Sequence, residues 1–256
     1  MPQDEPFKVS GREDASPAWA NQAGFEARFD WGRGGVQRLA AHVSALAIVD
    51  VLRFTTAVET GVSAGLVIYP YGFRDDSAET FAQANSAILA GRGFNGPSLS
   101  PQSLLSLPAG SSVVLPSPNG ANCSLLAIKE CSRVVAGCLR NACAIASWLM
   151  TIQPPVGVIA CGELWTDGTL RPSVEDLVGA GAILASLSLT RSPEAESAVA
   201  AFQGALDRLE TTLLDSASGR ELAQRSQTED ILWCSRLDIS KAVPRLIGGA
   251  FRQDIV

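Results

Sequence analysis

The sequence contains a single histidine, His42, so a mechanism that needs two histidines is excluded. Its six cysteines, Cys123, Cys131, Cys138, Cys143, Cys161 and Cys234, include no CxxC pair and sit in apolar or helical surroundings. That pattern predicts buried free thiols in a reducing compartment and argues against a zinc site. No apolar run approaches the roughly 20 residues that span a bilayer. Met1 to Ala20 is polar and Pro-bearing and lacks the apolar centre of a signal peptide, so the expectation is a cytoplasmic protein. Basic residues are outnumbered, 20 Lys and Arg against 26 Asp and Glu, for a net charge of −6. A surface of that sign repels nucleic acid and anionic membranes. An anionic ligand must therefore be held by a local cluster rather than by the overall field. No repeat of 20–50 residues is present. Neither a GxxxxGK[ST] loop nor a post-strand GxGxxG occurs, which argues against a P-loop or Rossmann cofactor site.

What is present is an alternation of short apolar runs and helical segments. The 256 residues, 46% of them hydrophobic, suffice for one large α/β domain or two small ones. Residues 1–20 read as a loose arm and 21–256 as one α/β domain, with a division into two lobes left open. Phe25, Ala27, Phe29 and Trp31 alternate with other residues and predict a first strand. Gly32 to Gly35 reads as a turn, and Arg38 to His42 as a short helix or loop. Buried strands are expected near 46–49, 65–70, 113–115, 133–137 and 156–161, with a short strand after Asp238. Helices are expected near 55–64, 77–90, 121–129, 142–150, 174–189, 194–213 and 216–226, with a turn or short helix near Ile231. This order predicts parallel βαβ units and an α/β sheet covered on both faces. Ligands of such sheets bind outside the carboxyl ends of the strands. Strand ends at Asp50, Ser117, Gly162 and, through Gly137, Asn141 are then expected on one edge.

The segment from Ile48 to Ala57 is the richest in chemistry. Asp50 closes an apolar run and is a hard oxygen ligand suited to Mg²⁺. Arg53 is a planar fork suited to phosphate or sulfonate. Thr55 and Thr56 stand where a helix should start, so hydroxyl and N–H groups can face an anion. The plainer reading of Asp50 and Arg53 is a helix cap with a surface ion pair. Ser117-Pro118-Asn119-Gly120 is a β-turn signal, and between a strand and a helix it is also an anion cradle. Asn141 reads as a cap or as a donor to the ligand. Glu175 and Asp176 follow Ser173 at a helix start. They either complement the dipole or supply carboxylates for Mg²⁺ or for polarising water. Glu163 and Asp167 are weaker loop candidates. The Gly179-Ala180-Gly181-Ala182 run reads as close helix packing. Two familiar phosphatase signatures are missing. No cysteine is followed by five residues and an arginine, and Leu52 stands where the haloacid dehalogenase pattern requires a second Asp.

Taken together, Val49-Asp50-Val51-Leu52-Arg53-Phe54-Thr55-Thr56, Ser117-Pro118-Asn119-Gly120, Leu139-Arg140-Asn141, Ala160-Cys161-Gly162 and Val174-Glu175-Asp176-Leu177 resemble the 2-phosphosulfolactate phosphatase family. Weaker likeness continues through Ser218-Gly219, Asp230-Ile231, Cys234 and Val243-Pro244. The resemblance implies a three-layer α/β/α fold with a mostly parallel or mixed sheet and a Mg²⁺-dependent acid phosphatase that converts 2-phospho-3-sulfolactate to 3-sulfolactate and phosphate, a step of coenzyme M biosynthesis. On that activity, Asp50 would hold Mg²⁺, with Glu175 or Asp176 completing the metal site or activating water, and these acids with Arg53 are the expected catalytic groups. Arg92, Thr55, Ser100, Ser117, Asn119, Gly120, Asn141 and Gly162 would bind a small anionic phosphate ester. The family's Gly-Glu-Arg and Gly-Asn-Ser-Pro loop is altered at 90–101, where the Glu is absent and Leu99 replaces the Asn. The chain thus resembles a divergent branch. A phosphatase for a different small organic-acid phosphate and a non-catalytic small-anion binding protein stay open, as do a nucleophilic role for Asp50 and a homodimer.

Overall fold

A computed structural model describes residues 17, 19–91 and 96–253. Most of the expected N-terminal arm, and Arg92, lie outside the described residues.

The chain begins with strand β1 (Ala27–Trp31) and helix α1 (Gly32–Leu39), then β2 (Ala45–Val49), α2 (Phe54–Ser63), β3 (Val67–Tyr71), α3 (Ser77–Ala84) and a short β4 (Ile88–Leu89). A 3₁₀ segment at Pro101–Ser106 leads to β5 (Ser112–Pro116), α4 (Gly120–Ala127), β6 (Val134–Gly137), α5 (Ala142–Leu149) and β7 (Val156–Ala160). The hairpin β8 (Glu163–Leu164) and β9 (Leu170–Arg171) precedes α6 (Val174–Ala185), α7 (Pro193–Ala205), α8 (Leu209–Asp215), α9 (Ala217–Gln224) and α10 (Thr228–Cys234). A second hairpin, β10 (Pro244–Ile247) and β11 (Ala250–Gln253), follows. Among the described residues no helix is long and apolar enough to cross a membrane.

Strand β2 shows why the chain forms three layers. Its five residues, Ala-Leu-Ala-Ile-Val, are all buried. Ala45, Ala47 and Val49 face one core with α5, α6 and α7, while Leu46 and Ile48 face the other with α1, α2 and α4. Successive strand side chains point to opposite faces, so an uninterrupted apolar run belongs to a sheet covered on both sides. The glycines of α6 serve close packing, as their spacing suggests. A Cβ on Gly181 would lie 2.0 Å from the Ala198 carbonyl oxygen of α7.

Nine strands form the main sheet in the order β1-β7-β2-β6-β10-β11-β3-β5-β4 among the described residues. β1, β7, β2 and β6 are mutually parallel, as are β3, β5 and β4. The β10–β11 hairpin pairs antiparallel with β6 on one side and β3 on the other. The two parallel blocks therefore run in opposite senses. Five strand-to-strand steps separate β2 from β5, and at roughly 20–25° each their twist accumulates to about 100–125°. That rotation lets the carboxyl ends of both strands reach one place despite their opposite sense.

The local elements correct two expectations. Gly32 to Gly35 is the first turn of α1 and not a turn, because Gly35 packs directly on β1, where a Cβ would lie 2.8 Å from Asp30 Cβ. The helix expected to reach residue 90 stops at Ala84, and Ile88–Leu89 joins the sheet edge beside β5. Five of the six cysteines are buried and all six are free, Cys143 being exposed.

Candidate active site

Asp50 is the first residue after β2, and its carboxylate meets two helix starts. Oδ1 accepts the Phe54 N–H of α2 at 3.2 Å, and Oδ2 accepts the Gly120 N–H of α4 at 2.9 Å. Helix N-termini favour negative charge, so the reading of Asp50 as a cap is correct but incomplete. The same residue lines a cavity of about 270 Å³. Burial, reinforced by the charge of Glu163, pushes its pKa up to about 7, against the two N–H bonds that pull it down. Among the described residues no arginine or lysine forms an ion pair with it.

A second carboxylate lines the same cavity. Glu163 opens the β8–β9 hairpin, and its Oε2 accepts the Asn119 side-chain N–H at 2.7 Å. Burial raises its pKa. The Ser117 hydroxyl lies 3.5 Å from Asp50 Oδ2. Gly120 is required by closeness, since a Cβ there would lie 2.3 Å from Phe54 Cδ1 and 2.7 Å from Asp50 Oδ2.

Arg53 and Arg74 bring positive charge to the same cavity. The Leu52–Arg53 peptide bond is cis. Arg53 pairs with Asp230 of α10, whose other oxygen accepts the Ser100 hydroxyl. The fork of Arg53 is thus oriented from behind by a buried carboxylate. Arg74 is exposed, with no hydrogen bond or ion pair among the described residues. Ser218, Glu221 and Leu222 of α9, with Arg225 just after it, also line the cavity.

Several expected ligands are placed elsewhere. Thr55 is buried and its hydroxyl is engaged with the Asp50 main chain, accepting from N–H at 2.9 Å and donating to the carbonyl at 2.8 Å. Asn141 is away from the cavity. Its amide donates to the Ala136 and Ala242 carbonyls at 3.3 and 3.0 Å, and its oxygen accepts the Cys138 N–H at 2.9 Å. Asp176 accepts the Val51 N–H at 2.7 Å and the Gly162 N–H at 2.9 Å. Glu175 is buried beside it, outside the cavity lining, although its charge helps raise the pKa of Asp50. Among the described residues no group of three His, Cys, Asp or Glu is arranged to hold a metal. A cation here would rest on one or two carboxylates and its own waters, as Mg²⁺ usually does.

Two cavity groups and one residue behind the cavity carry more weight than their sequence signal suggested. Glu163 was one loop acid among several. Arg74 follows β3 as Arg53 follows β2, so the same strand-then-loop pattern could have found it. Asp230 sits in the first turn of α10, where an acid is indistinguishable from a dipole partner until the fold places Arg53 beside it.

Residues 37–249 match the family model described as 2-phosphosulpholactate phosphatase. A protein of Carboxydothermus hydrogenoformans is 29% identical, over 80% of this chain and 87% of its own length. One from Cyanothece sp. is 30% identical over 77% of this chain and 86% of its own. One from Caldanaerobacter subterraneus is 25% identical over 80% and 88%. All three carry the name "probable 2-phosphosulfolactate phosphatase".

Proposed function

The chain belongs to the 2-phosphosulpholactate phosphatase family, and from that premise we propose that it hydrolyses 2-phospho-3-sulfolactate to 3-sulfolactate and phosphate with Mg²⁺. The family is one of phosphatases, and the chain is a phosphoric monoester hydrolase. The finer reading would place it in coenzyme M biosynthesis and in the cytoplasm, which its six free cysteines fit.

One observation carries the reading. Two carboxylates, Asp50 and Glu163, and an arginine anchored from behind, Arg53, face one cavity. A phosphate monoester bound with a divalent cation carries the complementary charges. Asp50 and Glu163 fit Mg²⁺ because they are hard oxygen donors whose mutual repulsion a cation relieves. When bound, Mg²⁺ would neutralise charge on the phosphoryl oxygens. Arg53 would orient the phosphoryl group, and the exposed fork of Arg74 would take a second acidic group of the substrate. Asn119 holds Glu163 in place. Leu52, Phe54 and Leu222 line the cavity with apolar surface that displaces water and strengthens these interactions.

A second reading has its own observation. Leu99 lines the same cavity at the position where the family pattern resembled by this sequence has Asn. That exchange favours another small organic-acid phosphate as substrate.

The test is an assay of purified protein with Mg²⁺ on a panel of phosphate monoesters, beside Asp50→Asn. Wild type should turn over 2-phospho-3-sulfolactate, with at least about 100-fold less turnover in the variant. Equal rates would remove Asp50 from the mechanism. Tight binding without turnover of any ester would make the chain a small-anion binding protein.

A further inference from the structure

We propose that Asp176 is a positioning residue that fixes the spacing of the two cavity carboxylates by holding Val51 and Gly162, each next in sequence to one of them. The inference rests on the reading of Asp50 and Glu163 given above.

The argument begins with the sheet. β2 and β7 are parallel neighbours whose register ends at Val49 opposite Ala160. The Cys161 N–H still reaches the Val49 carbonyl at 2.8 Å. Beyond that point the strands part, and the Val51 and Gly162 N–H groups have left the ladder. Buried N–H groups require acceptors. Asp176 supplies both, with one oxygen for each, at 2.7 and 2.9 Å. Val51 follows Asp50 and Gly162 precedes Glu163. A single rigid carboxylate therefore joins the two main-chain points from which the cavity acids project.

Neighbouring geometry makes the joint stiff. Gly162 has φ +64°, and a Cβ would lie 2.8 Å from Leu170 Cδ1 and 2.9 Å from the Arg171 carbonyl oxygen. Helix α6 rests on the end of β2 through Gly179, where a Cβ would lie 2.6 Å from Val51 Cγ2. Any side chain there would lift Asp176 off the strand ends. Both oxygens of Asp176 point at main chain, and the residue is not among those lining the cavity. This is the arrangement of a support and not of a ligand. Outer partners of this kind typically alter activity or metal affinity by about 10–100-fold when lost.

Asp176→Asn keeps one acceptor oxygen but turns an NH₂ toward the other N–H. Its amide resonances, turnover and Mg²⁺ affinity by calorimetry should be compared with wild type and Asp50→Asn. We expect the Val51 or Gly162 resonance to shift, kcat to fall by about 10–100-fold with KM little changed, and Mg²⁺ to bind about tenfold more weakly. Gly162→Ala, which disturbs one strand end with Asp176 intact, should lower kcat in the same way and decides the matter if Asp176→Asn fails to fold. Wild-type kcat and Mg²⁺ affinity in either folded variant would overturn the proposal. So would loss of Mg²⁺ binding as complete as in Asp50→Asn with both resonances unmoved, which would make Asp176 a ligand. Equal turnover by wild type and Asp50→Asn would instead sink the underlying reading, whatever Asp176→Asn does.

Discussion

Gly120 donates its backbone N–H to Asp50 Oδ2 at 2.9 Å across 70 residues of sequence. The bond joins the start of α4, which follows β5, to the end of β2, and so connects the two oppositely directed blocks of the sheet. It requires a residue without a side chain. Gly120→Ala should cost about 1–3 kcal/mol through overpacking and should also lower turnover, because Phe54 and Asp50 must give way. Thermal unfolding and kcat measured together check this. An alanine variant as stable and active as wild type would show that the helix can retreat freely.

Asp50 should leave a signature in stability against pH. Its pKa is 3.8 when unperturbed and about 7 in the fold, chiefly through burial. Below 3.8 it is protonated in both states. Between there and about 7 the native state holds a proton that the unfolded state has lost, so native stability falls as pH rises through that window. Asp176 and Glu163, whose pKa values burial also raises, act with the same sign. The informative quantity is therefore the difference in Tm between Asp50→Asn and wild type, without divalent cation. It should widen in favour of the variant from pH 4 to pH 7, and Mg²⁺ should recover wild type alone. A difference that is constant over this range would refute the assignment.

Asp230 should matter to substrate binding through Arg53. Asp230→Ala removes the buried partner of both Arg53 and Ser100. Loss of one partner of a buried charge pair costs about 3–5 kcal/mol, somewhat less here because Arg53 keeps 12% side-chain exposure. Steady-state kinetics should show KM for the phosphate ester rising more than kcat falls, with Asp230→Asn intermediate. An unchanged KM in the alanine variant would mean that Arg53 is placed by other groups.

Arg140 and Asn141 should be residues of stability. Arg140 pairs with the fully buried Glu59 at 2.6 Å and lies over the Trp233 ring, 4.3 Å from its centroid. Arg140→Met should cost about 3–5 kcal/mol by stranding the Glu59 charge, and adding Glu59→Gln should restore most of it. Chemical denaturation of the single and double variants measures both. A KM shift in the folded fraction of Asn141→Ala would instead bring Asn141 back to the ligand.

The parts of the molecule that were legible in its sequence are those set by local pattern. β2 announced itself as a strand buried on both faces, and Asp50 as a polar group ending it. Helix α1 did not, because Gly32-Arg33-Gly34-Gly35 is locally a turn and becomes a helix only where Gly35 packs on Asp30. The Leu139-Arg140-Asn141 motif left a cap and a ligand donor open, and Asn141 takes the Cys138 N–H as a cap does while its amide is bound in part to a carbonyl 101 residues away. Asp230 was obscure for the same reason, its arginine lying 177 residues distant. The Asp50 loop is a local pattern; Gly120, Asp176 and Asp230, which hold it from distant parts of the chain, are not.

The β10–β11 hairpin holds a different kind of consequence. Residues 244–253 form the hydrogen-bonded seam between the two parallel blocks, yet none of them lines the cavity. On the ribosome, both blocks emerge before the seam exists, each with an unpaired strand edge at β6 or β3. Exposed edges invite wrong partners. The nascent chain must keep these two apart from others until a late segment zips them together, so the cavity gains its final shape from strands that do not line it.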